Sequence, residues 1–295
     1  MMKTLEINQM EIEGLEKLKL DDRISNKEGT IYRLRNYNWV YDDNLLLKRL
    51  YITNKEIFAN KLHTSSMLND YEKEIGIRNF VIPKHFVSLQ GNIIGITIEE
   101  KKDTENLGII LQDENVKMED KIRYLSKIGD MLIKLESLAK YDLHFYFSDL
   151  HEYNFLVGKD DEVYAVDLDS ATFIDDFPLP ARYLIINPNL SSVREKYKAN
   201  VYGIPYPSYN ADILSYNMMV LDALSQEKVS HMDLKEYKQY LNYLQEIGFG
   251  DQLVNSFLSV YDNVNNEVSS KYFDQIPMNS IGKATYKEFV KTSKK

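Results

Sequence analysis

The 295-residue chain contains no cysteine. Disulfides, thiolate metal centres and cysteine nucleophiles are therefore excluded, and a reducing compartment is the natural setting. Basic residues are in the minority, 36 Lys and Arg against 45 Asp and Glu for a net charge of -9. A general nucleic-acid binder needs clustered cations to neutralise phosphates, so no nucleic-acid partner is expected. Only the tail, Lys283 to Lys295, is locally basic. Long apolar runs are missing too: none approaches the ~18 residues of a spanning helix. The opening MMKTLEINQMEIEGLEKLKL scatters acidic residues where a signal peptide would be apolar. The expectation is a soluble, cytoplasmic protein with no membrane partner. No pair among the five histidines has metal-ligand spacing, so no zinc site is expected.

What is present is enough for a sizeable core, 44% hydrophobic and 12% aromatic residues, in one large domain or about two at roughly 150 residues each. Up to about Glu100 the chain reads mostly as strands: IYRLRN, LLLKRLYI, FVIPKHFVSL and NIIGITIEE, the last two joined at Gln90-Gly91. Between the pairs lies one helical segment, NKEIFANKLHTSSMLNDYE, with Asn54 as its N-cap and Ile57, Lys61, Leu62 and Met67 at helical spacing. KKDTEN then reads as a hinge or linker. Beyond it, Ile122, Leu125, Ile128, Met131, Leu132, Leu135 and Leu138 form the apolar stripe of a buried helix. Further helices are expected over Asp212 to Leu224 and, with breaks at Gly248 to Gly250 and Pro277, over Met232 to Ala284. An irregular stretch up to Asn210 holds five of the seven prolines, and so long a loop is either functional or a misread of the elements there.

The stretch YFSDLHEYNFLVGKDDEVYAVDLD, Tyr146 to Asp169, sets Asp149 and Asn154 in a polar turn between apolar runs. It then returns through a short hairpin, tipped by the acidic KDDE, to Asp167 and Asp169. A group that accepts a proton from an attacking hydroxyl must be a carboxylate or a histidine within reach, and Asp149 offers one. Magnesium on nucleotide phosphates takes hard oxygens, commonly one or two carboxylates and a neutral oxygen. Asn154 and Asp167 supply that set. Asp169 would point the same way as Asp167 if the strand continued, as a second metal ligand. An Asp and an Asn at this spacing are alone no more than turn residues; the hairpin, the second aspartate and the preceding amphipathic helix make the combination specific.

These residues resemble the protein-kinase-like superfamily. SDLHEYNFLV is similar to its catalytic loop, a catalytic aspartate followed five positions later by a metal-binding asparagine. VYAVDLD is similar to the segment carrying its metal-binding aspartate, here Asp167. The resemblance implies a two-lobed α+β fold: a small antiparallel-sheet lobe with one helix over residues 1–100, a larger, mainly helical lobe over 101–295, and ATP and Mg2+ between them. It implies that Lys48 in LLLKRL is the phosphate-binding lysine, that Glu56 on the next helix is the carboxylate paired with it, and that Gly29 is what remains of the glycine-rich loop. Asp212, opening NADILSYNMMVLDAL, would steady the catalytic loop. Each has an ordinary counterpart: Lys48 as a lysine at a sheet edge, Glu56 as a solvent-facing glutamate, Asp212 as a first-turn acid favoured by the helix dipole. For Lys48, three apolar predecessors imply a buried strand, and a buried lysine needs a partner.

The chain departs from the family at four places. A single Gly29 in SNKEGTIY implies fewer backbone N–H contacts to a triphosphate. Phe147 stands where many members have a histidine. Ser148 replaces an arginine that, in regulated members, pairs with a phosphate on the activation segment, so no such switch is expected. His151 replaces a lysine common in protein kinases, and D-L-H followed by D-x-D is similar to aminoglycoside- and choline-type kinases. The expected activity is transfer of the γ-phosphoryl group of ATP to a protein Ser or Thr hydroxyl. A small-molecule acceptor, as in aminoglycoside- and choline-type kinases, and a non-catalytic pseudokinase acting as a binding module are the alternatives.

Overall fold

Side chains alternate along a strand, and Leu45, Leu47 and Lys48 are all buried because theirs is covered on both faces. The computed structural model describes residues 2–19, 29–34, 44–139, 144–147, 149–174, 209–229, 232–262 and 267–293. The chain is α+β and divides into two units, Met1–Thr104 with Gly158–Phe173, and Glu105–Val157 with Ile174–Lys295. No described helix is long and apolar enough to cross a membrane. The glycine-poor stretch before Gly29 and the segment 175–208 lie outside the described residues.

The first unit is built on a six-stranded sheet of β1 (Lys3–Ile7), β2 (Glu16–Lys17), β3 (Gly29–Arg33), β4 (Leu45–Leu50), β5 (His85–Leu89) and β6 (Asn92–Glu99), in the order β1-β5-β6-β4-β3-β2. β4 is therefore interior, between β3 and β6, and Lys48 is not an edge residue. The β5–β6 hairpin turns at Gln90 and Gly91, both at positive φ (52° and 76°), the backbone a two-residue hairpin demands. The expected antiparallel sheet needs one correction: β1 joins its edge parallel to β5, Lys3 opposite His85 and Ile7 opposite Leu89. The expected single helix is α2 (Lys55–Asp70), capped by Asn54, whose side chain accepts from the Glu56 and Ile57 N–H groups. Two short helices join it, α1 (Gln9–Glu13) and α3 (Glu72–Ile75). α1 starts with a reciprocal capping box between Asn8 and Glu11, and its Ile12 joins Ile7, Leu34, Leu45, Leu47 and Val87 in one core.

Glycine is needed at two places on this sheet. A Cβ on Gly29 would lie 2.4 Å from the Arg49 carbonyl oxygen, and one on Gly95 would lie 2.2 Å from that of Lys48. Gly95→Ala is expected to push β6 off β4 and cost about 1–3 kcal/mol. Urea unfolding measures it; a change inside about 0.5 kcal/mol would contradict the close approach.

The second unit opens with β7 (Thr104–Asn106), largely within it, and α4 (Leu107–Gln112). It continues through α5 (Met118–Ala139), whose stripe from Ile122 to Leu138 is buried as expected. β8 (His144–Tyr146) and β9 (Phe155–Gly158) flank the Asp149 loop, and α6 (Tyr209–Ser225), α7 (Leu234–Glu246), α8 (Asp251–Asp262) and α9 (Tyr286–Ser293) follow. The abundant tyrosines have a structural use, because a buried phenol must find a partner. Tyr216 donates to the Leu125 carbonyl (2.8 Å), Tyr237 to Phe257 (3.0 Å) and Tyr240 to Ala284 (2.6 Å). Asn217, fully buried, ties α6 to the following segments by donating to the Ser256 and Glu267 carbonyls and accepting from the Ser269 N–H.

Candidate functional site

β10 (Val163–Ala165) ends two residues before Asp167, and its Ala165 pairs with the Asn79–Val81 segment of the first unit, Val81 N donating to the Ala165 carbonyl at 2.9 Å. The chain then leaves extended geometry. Asp167 has φ 62° and ψ 30°, left-handed values that Asp tolerates better than most residues, and caps a 3-10 turn over Leu168–Ser170. Such outliers persist where surroundings over-determine them, and they concentrate at functional sites. Because the strand does not continue, Asp167 and Asp169 are not related by strand alternation. Both nevertheless reach Lys48.

Lys48 Nζ donates to Asp167 Oδ1 and, at 2.7 Å, to Asp169 Oδ1. The other Asp169 oxygen faces Lys61 Nζ of α2 at 3.3 Å, and Lys61 also donates to Ser170 Oγ at 2.6 Å. The Lys48, Lys61 and Asp169 side chains are 5%, 4% and 2% exposed, whereas Asp167 keeps 35%. Two cations and two anions thus meet, three of the four side chains almost wholly out of water and Asp167 at the edge. Burial would depress the Lys48 ammonium, but the Asp167 and Asp169 carboxylates outweigh it and hold the group above its ordinary value. Burial would raise the Asp169 carboxyl, but Lys48 and Lys61 overcome this and hold it well below the carboxylate range. Asp167 is pushed up by burial, which Lys48 only partly offsets, with the Asp169 charge adding to the rise.

One expectation is corrected here. Glu56 is not the partner of Lys48: it is exposed in the first turn of α2, while the carboxylates come from residues 119 and 121 positions downstream. Asp169, expected as a second metal ligand, has both oxygens facing ammonium groups. Lys61 belongs to the buried face of α2 with Thr64, Ser65 and Leu68, and a buried lysine requires an anion to meet it. Gly29 lies at the start of β3, where the backbone approach to Arg49 accounts for it.

In the second unit the loop after β8 is held from both sides. The buried Asp212 of α6 accepts the Phe147 N–H at 2.7 Å. Phe147 itself packs on Phe145 and Phe155, which accounts for an apolar residue there. Ser148, and with it the expectation of no phosphate-operated switch, lies outside the described residues. Asn154 Nδ2 closes the loop onto the Asp149 carbonyl at 2.9 Å. Asp149 Oδ1 is buried and has no hydrogen-bond partner, a costly condition away from a function. His151 Nδ1 accepts the Tyr153 N–H at 3.2 Å, leaving the ring proton on Nε2, 3.7 Å from Asp149 Oδ1. Removing the Asp212 carboxylate strips a buried N–H of its acceptor, so Asp212→Ala should lower stability by about 1–3 kcal/mol. Equal urea midpoints for variant and wild type would contradict the anchor.

The loop is also tied to the end of α6. Lys228 Nζ meets Glu152 Oε1 at 2.8 Å and Asp222 Oδ2 at 3.1 Å. Burial pushes the Asp222 carboxyl up to about 6, against the pull of Lys228 and of the Val229 N–H. That folded value is above the unfolded one of about 3.9. The contribution of Asp222 to stability is therefore fully present below about pH 4 and is lost as pH rises through about 6. Asp222→Asn removes this part of the pH dependence of the unfolding midpoint; an identical profile in the variant would contradict the assignment.

Asp167 in the first unit and Asn154 in the second each carry a hard oxygen of the type magnesium takes. Among the described residues no group of three or more His, Asp or Glu is arranged to hold a metal. Of the residues singled out from the sequence, Lys48, Asp167 and Asp169 meet in the first unit, and Asp149, Asn154 and Asp212 build one loop in the second. Compared with family models and with curated proteins, the chain has a match in neither.

Proposed function

We infer that the chain is an ATP- and magnesium-dependent phosphotransferase of the two-lobed, protein-kinase-like type, acting on a protein Ser or Thr hydroxyl. The observation that carries the reading is the meeting of Lys48 with Asp167, residues 119 apart that were singled out for the same chemistry. The orphaned Oδ1 of Asp149 supports it independently, because a carboxylate oxygen without a partner is poised to take a proton.

In this reading Lys48 would place its charge on the nucleotide phosphates, Asp167 and Asn154 would each offer an oxygen to magnesium, and Asp149 would orient the acceptor hydroxyl and accept its proton. The bound cation supplies neutralisation of charge on the transferred phosphoryl group. The chain's own residues act by positioning and by charge already in place, which suits a loose transition state. Asp212 fixes the loop that carries Asp149 by accepting the Phe147 N–H.

Binding is tested by thermal unfolding with and without Mg-ATP. A ligand at 100 times its Kd stabilises by about 2.7 kcal/mol, so a raised midpoint is expected. No shift with magnesium and either ATP or GTP would overturn the reading.

A further inference from the structure

Lys61 has no part in the reaction as described, yet it is a buried lysine whose ammonium group faces the Asp169 carboxylate. We propose that Lys61 is a positioning residue of the phosphate site: it supplies the countercharge that holds Asp169, and so leaves Lys48 able to serve a nucleotide. The inference rests on the phosphotransferase reading and assigns to α2 a cation where that reading expected a carboxylate.

The geometry gives α2 a grip on three successive residues after Asp167. Lys61 meets Asp169 Oδ2 at 3.3 Å and donates to Ser170 Oγ at 2.6 Å, and Thr64, next on the same helix face, donates to the Ala171 carbonyl at 3.1 Å. Beyond them Tyr71 stacks on Phe173. The turn that presents Asp167 is therefore registered against α2 mainly by polar groups, and Lys61 is the charged one.

Charge balance gives the functional consequence. With Lys61 in place, two ammonium groups answer two carboxylates, and when Lys48 turns to a phosphate, Asp169 keeps a cation. Without Lys61, Lys48 is, among the described residues, the one cation hydrogen-bonded to Asp167 and to the buried Asp169. Leaving them for a phosphate would strand a buried carboxylate, which is strongly unfavourable. Nucleotide would then have to compete with Asp169 for Lys48. Neutralising Asp169 removes the competitor, so a second substitution should repair the first.

The test is Mg-ATP affinity by titration calorimetry on the full chain. Lys61→Met should weaken binding by about tenfold or more, equivalent to ~1.4 kcal/mol. Lys61→Arg should stay near wild type, and Lys61→Met with Asp169→Asn should recover most of the loss. Lys61→Gln replaces the Met variant if that does not fold. A purely structural lysine would lower the unfolding midpoint while leaving affinity unchanged, and that result overturns the proposal. So does a double variant as weak as Lys61→Met. Wild-type protein that binds no nucleotide would instead overturn the phosphotransferase reading and the Lys61 role with it.

Discussion

Replacing Lys48 by Met should cost about 3–5 kcal/mol of stability, the usual penalty for removing one partner of a buried ion pair, and should reduce phosphoryl transfer by about 10²-fold or more. The size follows from what remains. Asp167 and Asp169 would face each other with only Lys61 to answer them, and Asp169 is 2% exposed. Asp169 would protonate or the turn from Leu168 to Ser170 would open. Adding Asp169→Asn should recover part of the stability, because one buried charge disappears, but none of the transfer, because the cation for the phosphates is still missing. Denaturant unfolding and a transfer assay on the same preparations separate the two effects. A Lys48→Met protein as stable as wild type would contradict the buried cluster.

Asp149→Asn should behave in the opposite way, with transfer lowered by about 10²- to 10⁴-fold and Mg-ATP affinity close to wild type. The Asp149 backbone carbonyl, which Asn154 Nδ2 uses, is untouched by the change. Its Oδ1 has no partner to lose, so the fold should tolerate an amide. A variant with undiminished transfer would remove Asp149 from its role as proton acceptor.

Local pattern made much of the fold legible. The seven-residue stripe of α5 repeats at helical spacing, the β5–β6 turn sits on Gln90-Gly91, and Asn54 caps α2, each a matter of residues within a turn or two of one another. The parallel pairing of β1 with β5 was not legible, because register between strands some eighty residues apart leaves no trace in either alone. The Asn8–Glu11 capping box was in plain view and marks α1.

The same division runs through the site. Lys48 was found because its apolar neighbours imply burial, but its partner was sought nearby, on Glu56, when the carboxylates arrive from the hairpin far downstream. Asp169 was read as a second ligand on the assumption of a continuing strand. The left-handed backbone at Asp167 ends that strand, and a single-residue conformational change of this kind has no period to betray it. Lys61 was placed on the helix but not read as buried, because the buried face runs through Lys61, Thr64, Ser65 and Leu68 rather than through Ile57, Leu62 and Met67.

The most direct measurement supplies γ-labelled ATP and magnesium to the purified protein with a cell extract and follows the label. The account predicts incorporation into Ser or Thr hydroxyls of protein, abolished by Asp149→Asn and by chelation of the metal. Label confined to small metabolites would replace the acceptor while keeping the chemistry. No label in any acceptor, from protein that is folded and given its nucleotide, would contradict phosphoryl transfer itself.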